Sequence, residues 1–378
     1  MKKALCILLC LCMMTAILAG CGDTGTTPST APSAAPSQAP SDAPETEPSN
    51  EPAPSDEVIE INLSLTFPEV SAGGVQKWID EVVEASDGRL KFNIYYSYSL
   101  VALPDLIKGL QTGLVDMAGI VPYEYPSLFT LSGNVMSLPF VGWKDETSAS
   151  EVYWEMIEDC PELLEEYEAY DLHYVSSYMM PGYNMFMTKT GPMETPADLK
   201  GHKTITVAPA MQQLLADNSA APVSSGPTDY YSNMEKGVAD SIFTHINVLG
   251  AFGVCPELVE KAVFFNDELS GAYMVLNSTV FANSFWEKLP ADIQDILTEH
   301  APNLGKYMIE SDMALTEKLL GDLEAKGAEI VVLDDAQVQV WADAMTAHTQ
   351  ANLDEWNEAN PAAESIYNTI LEKIAEAK

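Results

Sequence analysis

The chain has 378 residues, a length that suits two domains or one two-lobed unit. Its 56 acidic residues face only 18 basic ones, for a formal charge of -38. A surface that acidic repels nucleic acid and anionic lipid headgroups, so neither is expected as a partner, although a crevice sets its own local potential.

Lys2 and Lys3 precede an apolar run from Ala4 to Leu18 that closes in Leu18-Ala19-Gly20-Cys21. This pattern predicts a secretory signal over residues 1–20, too short to span a membrane. Leu-Ala-Gly-Cys looks like a bacterial lipobox, which implies that Cys21 becomes the lipidated first residue, anchoring an extracytoplasmic protein to the outer face of the cell membrane. Burial of acyl chains at ~0.8 kcal/mol per CH2 makes several chains on one Cys a stable anchor. Loss of the two leader lysines deepens the charge from -38 to -40. Residues 21–56 are almost all Pro, Ala, Ser, Thr, Asp and Glu, a disordered tether that at ~3.1 Å per residue reaches on the order of 100 Å. Cys160 and Cys255 are then left in the folded part, either as a disulfide or as two buried thiols.

Ile61, Leu63, Leu65 and Phe67 alternate with Asn62, Ser64 and Thr66, predicting a half-buried strand that stops at Pro68. Val75, Trp78, Ile79, Val82 and Val83 fall at helical spacing, and Asp87-Gly88 turns the chain into a second strand carrying Leu90, Phe92 and Ile94. Such a β-α-β unit implies parallel strands. Leu103-Pro104-Asp105 opens another helix that Gly113 closes, and residues 114–121 form a third strand. Ligands of open α/β sheets sit beyond the carboxyl ends of strands, which directs Phe67, Glu69, Tyr96 and Tyr123 toward a crevice. The competing reading makes the aromatics core or rim side chains and Glu69 a solvated loop acid.

Pro181-Gly182 breaks the chain before a short strand from Tyr183 to Thr188, and Thr195-Pro196-Ala197-Asp198 opens one capped helical turn that Gly201 ends. Lys203 to Val207 alternates as a further strand. Two strands bracketing a capped turn would bring Asn184 close to Thr206. Tyr230 to Asp240, YYSNMEKGVAD, repeats the helix-Gly-x-x-Asp pattern of Gly113 to Asp116, so a second parallel unit begins near Tyr183. From Pro290 to Gly327 a single long helical period suggests a spine shared by both halves, followed by a strand at residues 329–333 and a closing helix at residues 336–356.

These segments resemble the solute-binding proteins of TRAP transporters, the tripartite carriers that import organic acids without ATP. The likeness rests on Pro196-Ala197-Asp198-Leu199-Lys200-Gly201, on Gly113 to Ala118, on Ser137-Leu138-Pro139-Phe140 and on Asp229 to Asp240. It implies a two-lobed α/β fold like that of periplasmic binding proteins, with mixed, mostly parallel sheets. One lobe would comprise residues 57–181 plus 269–305 and the other residues 182–268 plus 306–378. It also implies closure of the lobes on a small molecule and recognition by integral-membrane permease subunits. By the family's pattern, Asn184 stands where a substrate-contacting Arg is usual, and Ile205 or Thr206 where the carboxylate-clamping Arg is usual. Tyr231 keeps a family Tyr, and Thr244, followed by His245, takes the place of a substrate-touching Asn.

No H-E-x-x-H, G-x-S-x-G or phosphate loop is present, and the five histidines have no ligand spacing, so neither catalysis nor a metal or cofactor is expected. Arg89 is the single arginine, in a turn that the resemblance places away from the crevice, so a bidentate clamp on a carboxylate is not expected. Three substitutes stay open. Lys203 or Lys189 supplies a point charge; Asn184, Thr206, Thr244 and backbone N–H groups donate to the ligand; or the ligand is neutral or amine-bearing and is held by Tyr123, Tyr183 and Tyr231. The balance favours a ligand other than a simple dicarboxylate. Two other functions stand beside this one: an ABC-type binding lipoprotein and a non-transport surface lipoprotein.

Overall fold

The structure, a computed structural model, describes residues 57–266 and 271–376. The expected leader, Cys21, the tether and the lobe boundary at 268/269 lie outside the described residues.

In chain order the first half contains β1 (Ile59–Ser64), α1 (Gly73–Ala85), β2 (Leu90–Tyr95), α2 (Leu106–Gln111), β3 (Met117–Ile120), α3 (Glu146–Asp159), α4 (Pro161–Glu168) and β4 (Leu172–Met179). The second contains β5 (Asn184–Met187), β6 (Lys203–Ile205), α5 (Pro209–Asp217), β7 (Ala221–Val223), α6 (Tyr230–Glu235), β8 (Ser241–Thr244), α7 (Ile246–Ala251) and β9 (Lys261–Phe264). There follow β10 (Leu276–Ala282), α8 (Asn283–Trp286), α9 (Ala291–Lys326), β11 (Glu329–Val332), α10 (Asp335–Ala359) and α11 (Ala363–Glu376).

The expected β-α-β unit opens the fold. β1 pairs with β2 in parallel from Ile59↔Leu90 to Ser64↔Tyr95, while α1 buries Val75, Trp78, Ile79 and Val82. The first sheet has the order β2-β1-β3-β10-β4, and the second the order β11-β9-β5-β8-β6-β7. Each is mixed: β1, β2 and β3 run parallel, as do β6, β7 and β8, whereas β10 and β5 run antiparallel to their neighbours. β3 is shorter than expected because the N–H groups of Leu114 and Val115 turn back to the Gly109 carbonyl, at 2.9 and 3.2 Å, and close α2.

The repeated Gly-x-x-Asp pattern proves to be the same device in each sheet. Gly113 and Gly237 turn the chain at φ 73 and 66 after a short helix, a region where glycine carries no Cβ penalty. The aspartate three residues on then accepts a backbone N–H of the neighbouring parallel strand. Asp116 takes that of Asn62 at 2.9 Å, and Asp240 that of Lys203 at 3.1 Å. Both latches fix the strands whose carboxyl ends face the cavity described below.

The spine is α9, 36 residues long and therefore ~54 Å by its helical rise. Gly327 ends it in the left-handed conformation, φ 82. It packs on α1 and β4 of the first half and on α7 and β11 of the second. Close approach at both ends depends on missing side chains: a Cβ on Gly74 of α1 would sit 2.5 Å from the Tyr307 carbonyl oxygen, and one on Gly250 of α7 2.5 Å from Leu319.

One expectation is corrected here. β8 lies between β5 and β6, so Asn184 pairs with Thr244 and not with the Thr206 strand; at the ~4.8 Å spacing of strands the two are about two strand widths apart. At the C-terminal end of the described residues, Ile366, Ile370 and Ile374 of α11 pack with Leu131, Trp143 and Tyr153 of the first half.

Candidate ligand-binding site

A cavity of about 410 Å³ opens where the carboxyl ends of the parallel strands of both sheets meet, with α9 passing beneath through Met308 and Asp312. The first sheet contributes Thr66 and Phe67 after β1, Tyr98 after β2, and Tyr123 and Glu124 after β3. The second contributes Val207 after β6, Ser225 after β7, and Thr244 and His245 at the end of β8. The topology rule for open sheets thus holds in both halves at once, and the size suits a small organic ligand.

Of the residues singled out from sequence, Phe67, Tyr123, Tyr183, Thr244 and His245 line this cavity. Glu69, Tyr96, Asn184, Thr206 and Tyr231 do not. Asn184 is buried with its amide engaged in the backbone: Oδ1 accepts from the Phe265 N–H at 3.0 Å and Nδ2 donates to the Gly182 carbonyl at 2.9 Å. Thr206 Oγ1 accepts from the Ala208 N–H at 3.2 Å, closing the turn into α5. Tyr231 points away and donates to Glu257 at 2.8 Å, leaving its neighbour Tyr230, a third of a helical turn earlier, on the cavity wall. Tyr96 packs against the core, and Glu69 is exposed near it.

The three basic residues weighed as anion holders, Arg89, Lys203 and Lys189, lie at the other end of the sheets. Arg89 precedes β2, where Nε donates to the Ser86 carbonyl at 3.2 Å and the guanidinium pairs with Asp292. Lys203 begins β6 and bonds to the Gly237 carbonyl; Lys189 is exposed beyond the end of β5. Among the described residues no Lys or Arg lines the cavity.

The walls are instead tyrosines, hydroxyls and two acids. Ser97 and Tyr98 have φ 51 and 58, left-handed values uncommon outside glycine, held by Ser97 N–H to the Phe67 carbonyl at 3.1 Å and Tyr98 N–H to that of Leu65 at 3.3 Å. That turn delivers the Tyr98 hydroxyl to Glu124, 3.1 Å from Oε2. Burial pushes the Glu124 carboxyl up to about 7, with the Tyr98 hydrogen bond pulling the other way. Burial likewise raises Asp312 to about 7 against the pull of Asn247 and Tyr178. His245 is pushed down to about 4 by burial and is neutral at physiological pH; its Nδ1 has no partner and its ring leans on Tyr183 at 5.5 Å. Burial also raises Tyr123 and Tyr183, which stay protonated donors.

Sequence reasoning missed Tyr98, Glu124, Tyr230 and Asp312. Asp312 left a readable trace, an acid set in the apolar stripe of α9 between Met308 and Leu319. Glu124 left none, being one acid among 56.

Residues 66–355 match the bacterial extracellular solute-binding protein family 7. The chain belongs to this family. The chain is similar to a solute-binding protein of Albidiferax ferrireducens, 24% identical over 270 residues, which are 71% of this chain and 77% of that one. Another is the 2,3-diketo-L-gulonate-binding periplasmic protein YiaO of Escherichia coli, 22% identical over 71% of this chain and 79% of its own. The fold is shared with a TRAP solute-binding protein of Rhodoferax ferrireducens in complex with copurified benzoate, TM-score 0.73 at 21% identity, covering 84% of this chain and 98% of that one. It is shared too with a TRAP periplasmic solute-binding protein of Chromohalobacter salexigens with bound D-glucuronate, TM-score 0.72 at 18% identity over 83% and 99%. The solute-binding family expected from residues 113–118, 137–140, 196–201 and 229–240 is therefore the one matched over residues 66–355, and the fold is the two-lobed α/β one.

Proposed function

We propose that this family 7 protein is the extracytoplasmic receptor of a tripartite ATP-independent transporter. Lipid on Cys21 holds it to the outer face of the cell membrane; it takes one small organic molecule into the cavity between its lobes and hands it, unaltered, to integral-membrane permease subunits. The main support is a cavity walled by strand ends of both sheets. A ligand that touches both lobes gains contacts in the closed state that the open state lacks, and this difference drives closure. The lobes move about two crossings, at Pro181-Gly182 and at Gly271-Ala272, where Tyr183 N–H bonds to the Tyr273 carbonyl at 2.8 Å and Ala272 N–H to that of Tyr183 at 2.9 Å. Residues 57–181 with 271–305 form one lobe; α11, which packs on that lobe, straps the far end of the second.

Equilibrium dialysis of the purified protein against a bacterial small-molecule extract is expected to retain one compound at one per chain, with a smaller radius of gyration in solution scattering. Retention of nothing contradicts the carrier reading. In a bacterial host the full chain is expected in the membrane fraction and its Cys21→Ala variant in the soluble extracytoplasmic fraction; equal partition of the two sinks the anchor.

A further inference from the structure

The carrier reading leaves the ligand's chemistry open, and the charge on the cavity walls narrows it. Glu124 and Asp312 both line the cavity, His245 is neutral there, and no lysine or arginine among the described residues joins them. Above about pH 7, where Glu124 and Asp312 are ionised, a carboxylate entering this site meets two like charges and no counter-charge, in addition to the loss of its own hydration. The related proteins with benzoate and D-glucuronate hold anions; here Arg89 and Lys203 are engaged at the far end of the sheets, with Asp292 and the Gly237 carbonyl.

What remains is a site with the features of a cation receptor. Tyr98, Tyr123, Tyr183 and Tyr230 line it, and a ring face attracts positive charge most strongly where water is excluded. Tyr123 and Tyr183 are buried and braced through Tyr273, whose ring lies 5.9 Å from the first and 4.6 Å from the second. Glu124 receives a protein hydrogen bond from Tyr98, leaving acceptor capacity toward the cavity. We propose, on the carrier reading above, that the transported solute is a small organic cation, an amine or quaternary ammonium with an apolar body, held between the tyrosine faces and the carboxylates of Glu124 and Asp312.

The environment of the two acids gives the binding a pH signature. Glu124 is faced by Tyr98 from the turn after β2, Tyr125 on its own segment, Tyr183 from the crossing before β5 and Tyr230 from α6; Asp312 is faced by Tyr178 from β4, Asn247 from α7 and Glu146 from α3. With both carboxyls near 7 when empty, a bound cation expels a proton.

Isothermal titration of the full chain with 2-phenylethylamine, choline and putrescine, against benzoate, malonate and the neutral 2-phenylethanol, tests this. At least one cation is expected to bind at pH 8, with affinity falling roughly tenfold per pH unit below about 7, and the acids and the alcohol are expected not to bind. Glu124→Gln and Asp312→Asn, each confirmed folded by its melting transition, are each expected to weaken the cation at least tenfold. Binding of benzoate or malonate at least as tight as any cation overturns the proposal, and so does unchanged cation affinity in both variants. If none of the three cations binds, the compound retained in dialysis decides: a cation upholds the proposal, an acid or neutral molecule overturns it while leaving the carrier reading intact, and an empty protein sinks the carrier reading itself.

Discussion

Gly271→Ala is expected to lower stability by about 3 kcal/mol, read as a fall in the urea midpoint at constant slope. Gly271 has φ 65, where a side chain costs roughly 1–2 kcal/mol. A Cβ there would also lie 2.3 Å from the Tyr183 carbonyl oxygen, 2.6 Å from its nitrogen and 2.8 Å from the Gly182 carbonyl carbon. These are backbone atoms of the other crossing strand and cannot swing aside. Relief requires parting the two crossings, which breaks the paired bonds between Tyr183 and residues 272–273 and shifts Tyr183 on the cavity wall. Gly321→Ala is the matched control. It sits inside α9 with no atom within 4 Å of the new methyl, and a gain of roughly 0.5–1 kcal/mol is expected. An unchanged midpoint for Gly271→Ala would show that the two crossings are not packed as described.

Stability is expected to fall as pH rises from about 5 to about 8, the reverse of ordinary acid denaturation. Glu124 and Asp312 are raised to about 7, and Glu146 to about 8, by burial first and, for Glu146, by the neighbouring Asp312 and Asp145. A carboxyl raised in the folded state holds its proton where the unfolded chain has lost it. Its contribution is therefore fully present below the unfolded value near 4 and lost as pH climbs through the folded value. At ~1.4 kcal/mol per pH unit, discounted for coupling between Glu146 and Asp312 and for residual water, the three together are worth on the order of 4 kcal/mol. Below about pH 4 the trend reverses. Glu194, held down by its hydrogen bond to Lys261, and Asp292, held down by Arg89, lose their stabilising charge there. The melting temperature of the ligand-free protein should thus peak near pH 5 and drop by roughly 5–10 °C at pH 8. In the double variant Glu124→Gln, Asp312→Asn the high-pH loss should shrink. A melting temperature that is flat or rises over this interval would contradict the burial of these acids.

Local chemistry made much of the fold legible. The helical spacing around Trp78, the Thr195/Asp198 capping box and the glycine stop at Gly327 all act within a few residues, and each forms as read; the first strand forms too, but it ends at Ser64, short of Pro68, and Ser64 and Thr66 on its polar face are buried as well. The strand order of the second sheet was not legible, because insertion of β8 between β5 and β6 is decided by packing between segments far apart in the chain, Asn184 with Thr244 and Thr204 with Ser241. α3 and α4 were missed because their exposed faces are crowded with acids that dilute the apolar stripe; the Asp145/Ser148 cap was their clearest local mark. The site divides the same way. Strand-end position found Phe67 and Tyr123, while Asn184 was misplaced because an amide suited to a ligand serves equally well to tie Gly182 to Phe265. Tyr98 was missed because two consecutive left-handed residues reverse the direction that alternation gives the side chains after β2.

A crystal structure of the protein purified with its native solute tests the central claim most directly. The expected density is a small molecule among Tyr98, Tyr123, Tyr183 and Tyr230 with a basic nitrogen within hydrogen-bond distance of Glu124 or Asp312, Arg89 remaining on Asp292. A carboxylate in that place, or Arg89 or a lysine turned onto the ligand, would contradict it.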